Sequence, residues 1–212
     1  MLNISISNEK TTGNALSVSP EICELVQAFS RDQKNLEERL LKDSTRTKSA
    51  KQLAAAEAAQ KKLKLAAEKT ARIQVGLNQS IDRYNQIVNK KMQILGTTDY
   101  LILSGYAQAL QDKKPSDVMK LDDIDAYRAA LLHPVLKLNS SIQNQRDAIE
   151  DAAEKLILGD EAYQDRQQLK DKLQHAEKLE AGLLQTHADY ASVANGVKQN
   201  MVDDNELEPV VG

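Results

Sequence analysis

Between residues 44 and 95 the apolar positions fall at Leu53, Ala56, Leu63, Ala67, Leu77, Ile81, Tyr84, Val88 and Leu95, in steps built from threes and fours. Without a proline to interrupt it, this pattern predicts one long amphipathic helix with a heptad seam. The seam is imperfect, because Gln60, Thr70 and Gln74 stand where apolar residues belong. Polar groups at such positions cost stability and help to fix register. Upstream, Ser19, Pro20 and Glu21 form a helix start signal, and Ile22, Leu25, Val26, Phe29, Leu36 and Leu40 trace the stripe of a first helix over about 20–42.

Gly96 reads as a stop, and Thr97, Thr98 and Asp99 as the start of a shorter helix to about residue 111. Its stretch YLILSGYAQAL is the most continuously apolar in the chain. Pro115 and Ser116 mark a turn, Asp123 can cap a helix holding Tyr127, Leu131 and Leu132, and Pro134 must break it. The heptad then returns at Val135, Ile142, Ile149 and Leu156, with Leu138, Gln145 and Ala152 alongside. From about 160 a final helix carries Leu169, Ala176, Leu183, Tyr190 and Val197, accompanied by Leu173, Glu180, His187, Ala194 and Met201. Gly159 and Asp160 read either as a cap pair or as a weak point in a continuous helix with a stutter.

The expected fold is therefore all-α: an elongated antiparallel coiled-coil helical bundle with a short helical cap. A disordered segment over 1–19 precedes a single helical domain over 20–202, whose short-helix insertion covers about 97–134, and an acidic tail closes the chain at 203–212. The composition agrees, since 3% aromatic residues in 212 argue against a β-sandwich or barrel. The lone Cys23 cannot form an internal disulfide, and next to Glu21 and Glu24 it reads as a structural cysteine. The opening is polar and alternating, unlike a secretory signal peptide. No segment reaches the roughly 18 apolar residues of a membrane span. These features predict a chain made soluble in the cytoplasm.

Charge changes the picture. The whole chain carries −3, but residues 1–43 carry −2, 44–92 carry +8 and 93–212 carry −9. Pairing of the basic helix with its acidic neighbours is the simplest expectation. The same basic stretch is also the one candidate polyanion contact, centred on Lys61, Lys62, Lys64, Lys69 and Arg72. Without an aromatic residue to stack a base it does not suit nucleic acid, and an anionic membrane surface fits it better. A second candidate contact, for a membrane or a partner, is Tyr100, Leu101, Ile102, Leu103 and Tyr106. The competing expectation is a buried helix closing one end of a bundle.

Catalysis finds little support. His133, His175 and His187 lack metal-ligand spacing, and no nucleotide, nucleophile-elbow or zinc-peptidase string occurs. His187 lies on the seam and reads as interior. The carboxylates Asp122, Asp123, Asp125 and Glu150, Asp151, Glu154 lack the pattern of a calcium loop. No cofactor, metal, small-molecule substrate or nucleic acid is expected.

The opening MLNISISNEKTTGN is similar to the start of type III secretion substrates, and the Gln/Ala/Lys/Asn-rich coils around an irregular midsection resemble helical translocator, filament and needle-tip proteins of those systems. The resemblance implies an exported, virulence-associated helical component without a cleaved signal peptide, and it assigns no functional residue. Two roles follow as expectations. One is a non-enzymatic coiled-coil interaction or structural protein that binds a helical protein partner or itself, with Gln60, Gln74, Gln145 and Glu180 selecting the partner. The other is a membrane-active protein, a pore-forming toxin or translocator component, engaging lipid through the 99–111 helix and the basic 46–72 face. A crescent-type membrane-binding dimer is a variant, with Lys61, Lys62, Lys64 and Lys69 on its concave side.

Overall fold

The structure, a computed structural model, describes residues 18–206, with side chains described throughout that range except at 21 and 202–206. The expected loose segment at 1–19 lies almost wholly outside this range, as does most of the acidic tail at 203–212. Among the described residues there are nine helices and no strand, an all-α helical bundle. They are α1 (Pro20–Lys42), α2 (Lys48–Met92), α3 (Thr97–Leu110), α4 (Pro115–Val118), α5 (Ile124–Leu132), α6 (Pro134–Lys137), α7 (Ser140–Gln143), α8 (Arg146–Leu158) and α9 (Asp160–Glu206).

The chain divides into two compact units. Unit 1 comprises residues 1–78 and 171–212, and its described part holds α1, the first part of α2 and most of α9. Its core joins Ile22, Val26 and Phe29 of α1 to Ala56, Ala59, Leu63 and Ala67 of α2 and to Leu179, Leu183, Tyr190 and Ala194 of α9. Of the seam positions named from spacing, Ala56, Leu63, Ala67, Leu183, Tyr190 and Ala194 lie in this core, because threes and fours return to one side of a 3.6-residue helix. Alanines at 55, 56, 59, 66 and 67 are all buried. Pro20 opens α1, and the Thr47 hydroxyl accepts from Ala50 N–H at 3.2 Å to open α2.

The polar seam residues are hydrogen-bonded. Gln60 donates to the Tyr190 carbonyl at 3.3 Å, Gln74 donates to Glu180 at 2.8 Å, and buried Thr70 donates back to the Ala66 carbonyl at 2.9 Å. The basic helix pairs with both of its neighbours in unit 1. Lys62 meets Asp32 of α1 at 2.7 Å, while the α2–α9 ion pair runs in the opposite sense, from Lys198 to Glu57 at 2.9 Å.

Unit 2, residues 79–170, holds the end of α2, the start of α9 and all the short helices. Here α3 packs on α5, and α5 on α8. Leu103, Ala107, Leu110, Tyr127, Leu136, Ile142 and Ile149 form the core. Arg166 of α9 is buried, donating through both terminal nitrogens to Glu154 of α8, at 3.0 Å for Nη2 to Oε1, and to Asn85 of α2 at 2.7 Å.

The continuous seam expected over 135–156 is corrected. The segment forms three helices, and Leu138 and Val135 are exposed at 87% and 50%. Pro134 opens α6, in which Leu136 is buried and Val135 is not, and the Asn139 side chain then accepts from the N–H groups of Ser141 and Ile142 to start a fresh turn. The Gly159 alternative is settled as a break: α8 ends at Leu158, Gly159 takes φ 78° and ψ 163°, and α9 begins at Asp160. That backbone conformation is essentially reserved for glycine.

Candidate functional site

The connection from α2 to α3 is held by charge. Gly96 takes φ 152°, which an L side chain resists, and the Asp99 carboxylate reaches back to accept the Leu95 N–H at 2.8 Å. Asp99 thus caps the turn before α3, in place of opening the helix itself. Buried Arg128 of α5 donates to Asp99 at 2.8 Å, to Asp125 at 2.6 Å and to the Gln93 carbonyl at 2.6 Å. The Leu95 N–H, then the arginine, hold the Asp99 carboxyl below its ordinary value of 3.8.

This clasp fixes which side of α3 faces out. Of the five residues singled out from sequence, Leu103 is fully buried, joined by Ala107 and Leu110 one helical turn apart. Tyr106 is half-buried with its hydroxyl on Asp123, and that hydrogen bond raises the phenol above its ordinary value. Leu101 at 66% and Ile102 and Tyr100 at 44% face outward. Two residues of the preceding turn join them. Ile94 is exposed, and Leu95, expected on the seam, is 76% exposed because α2 stops at Met92 and the chain turns away from the helix axis. The 99–111 segment is therefore neither wholly core nor wholly surface.

Tyr100 stacks on the His133 ring with centroids 5.4 Å apart, and Ser104 Oγ lies 3.3 Å from His133 Nε2. Serine beside histidine has the spacing of a nucleophile and its base. However, the hydroxyl donates to the Tyr100 carbonyl at 2.8 Å, and buried His133 Nδ1 has no partner to orient the ring. The pair closes the α3–α5 contact and lacks the third group of a triad. No group of three or more metal-ligating side chains gathers among the described residues.

The candidate polyanion contact lies in unit 1. Lys61, Lys64 and Arg72 are exposed on α2, Lys62 is held by Asp32, and Lys69 is half-buried and engaged. Leu65 and Val75 interrupt this face as exposed apolar residues. The basic face and the apolar turn, joined in one expectation above, belong to different units.

Two features escaped the sequence reading: the buried arginines and the exposed turn at 94–95. Arg166 did carry a signal, since extending the α9 seam backward from Leu173 by seven lands on it. No helix among the described residues is long and apolar enough to cross a membrane. Comparison with protein-family models, curated proteins and solved structures finds no match.

Proposed function

We propose that this chain is a non-enzymatic helical interaction protein, a bundle that presents an apolar contact face at the α2–α3 turn. The observation that supports it most directly is the outward placement of Leu95 and Leu101 on a segment whose other side is locked into the core of unit 2. Ile94, Leu95, Tyr100, Leu101 and Ile102 are all exposed within this short stretch, and such a run of exposed apolar residues marks a binding site. Gln60, Gln74 and Glu180 are spent within unit 1, which leaves Gln145, exposed at the start of α8, and this face as the available contacts. The resemblance of the coils to secreted components of type III systems supports reading the partner as something met outside the producing cell.

The test uses an environment-sensitive apolar dye with the native full chain. Bright dye binding that is lost in a Leu95→Ser/Leu101→Ser variant with unchanged far-UV circular dichroism is the expected result. Absence of native dye binding, or equal binding by the variant, overturns the reading.

A further inference from the structure

We propose that the α2–α3 turn docks on an anionic lipid surface, an inference that rests on the contact face just described and names its occupant. Shape favours this occupant. Leu95 and Leu101 project from the surface, where most of each side chain meets solvent. A projecting side chain needs a matched pocket in a folded partner, whereas the boundary between headgroups and acyl chains yields around it.

Charge favours the same occupant. From residue 83 to residue 111 the sequence holds one carboxylate, Asp99, and Arg128 binds it. The exposed ions of the same stretch are the cations Arg83, Lys90 and Lys91, with the exposed carboxylates Asp82 and Asp112 just beyond its ends. Lys90 and Ile94 line one hollow together with Gln93 and Leu132, so cation and apolar group share a surface. Lys90 beside Ile94 places a cation at the edge of the apolar tip, which complements anionic headgroups above hydrocarbon.

The same charges argue against a second copy as occupant. A twofold interface sets each patch against the same patch, so two surfaces that both carry Lys90 and Lys91 would face each other. Tyr100 adds an amphipathic ring of the kind favoured at the membrane boundary, half-exposed and braced by His133. Because Leu103, Ala107 and Leu110 remain in the core, the contact is peripheral and does not span the bilayer.

Flotation of the full chain with phosphatidylcholine vesicles, with and without phosphatidylserine, at low and high salt, tests the proposal. The expected result is binding to the serine-containing vesicles that weakens with salt. Lys90→Gln/Lys91→Gln, on an exposed helix face, should lower the partition coefficient roughly thirtyfold. Leu95→Ser/Leu101→Ser should abolish flotation, whereas Lys61→Gln/Lys64→Gln should retain it. No flotation, equal flotation on neutral vesicles, indifference to the lysine pair, or flotation retained by the leucine pair each overturns the proposal. A concentration-dependent dimer that the leucine pair abolishes also overturns it, in favour of a protein occupant. Dye binding separates the two levels, because a dye-positive chain that ignores vesicles keeps its contact face and loses only the lipid assignment.

Discussion

Replacing Arg166 with Met tests how unit 2 is held together. The side chain is 6% exposed, and Glu154 opposite it is 21% exposed. Met retains most of the aliphatic stem, so the loss is mainly electrostatic. It leaves the Glu154 carboxylate and the Asn85 amide without the guanidinium, with Lys170 at 4.0 Å as the remaining cation near Glu154. Breaking a buried pair by removing one partner costs about 3–5 kcal/mol. The remaining solvent and Lys170 put this case at the lower end, about 3 kcal/mol. Replacing both partners, Arg166→Met with Glu154→Leu, removes the orphaned charge along with the pair, and should return the protein to within about 1 kcal/mol of its starting stability. Urea unfolding of the four proteins, with hydrogen exchange read along α8 and in unit 1, gives the cycle its residue resolution. The loss should concentrate in unit 2. A single-variant cost below about 1 kcal/mol, or a double variant whose cost is the sum of the singles, refutes the reasoning.

Gly159→Ala should cost about 1–3 kcal/mol, measured by thermal unfolding, because φ 78° with ψ 163° strains any β-carbon although the space around it is open. Asp99 has its folded pKa depressed, so its contribution to stability is complete above its ordinary value of 3.8 and is lost as pH falls through the lower folded value; acid should loosen the α2–α3 turn first, seen by exchange of the Leu95 amide at stepped pH. Tyr106 behaves in the opposite sense. Its raised pKa gives stability that is complete below 10.0 and lost as pH rises through the folded value, so ultraviolet titration should show it ionising above ordinary tyrosine. Cys23 is buried beside Gln27, and its alkylation should follow global unfolding, with a fast native reaction counting against this packing.

The long helices were legible because their periodicity reports burial directly. Leu63, Ala67, Ile81 and Val88 of α2, and Ala176, Leu183, Tyr190 and Ala194 of α9, are all buried. Periodicity failed where local capping intervened. Of Val135, Ile142, Ile149 and Leu156, seven apart, the last three reach the core of unit 2 but Val135 is exposed, because Pro134 and the Asn139 cap divide their segment. Leu95 failed for the same reason beyond the end of α2. The candidate contact was half legible. An all-round apolar helix such as α3 announces that it is covered, but which side is covered depends on Arg128, whose role arises from pairing with residues 29 and 35 positions away. A lone arginine among alanines gives no such notice.

The Arg166–Asn85 bond also bears on the order in which the chain folds. Unit 1 is assembled from two stretches that the whole of unit 2 separates in sequence. Closing so long a loop before any contact rewards it is entropically slow. Unit 2 is continuous, and once formed it sets the end of α2 beside the start of α9 through Arg166, Asn85 and Glu154. Unit 2 therefore has the shorter search, and Arg166→Met should slow that unit's own formation, read as a slower refolding phase with exchange labelling along α8.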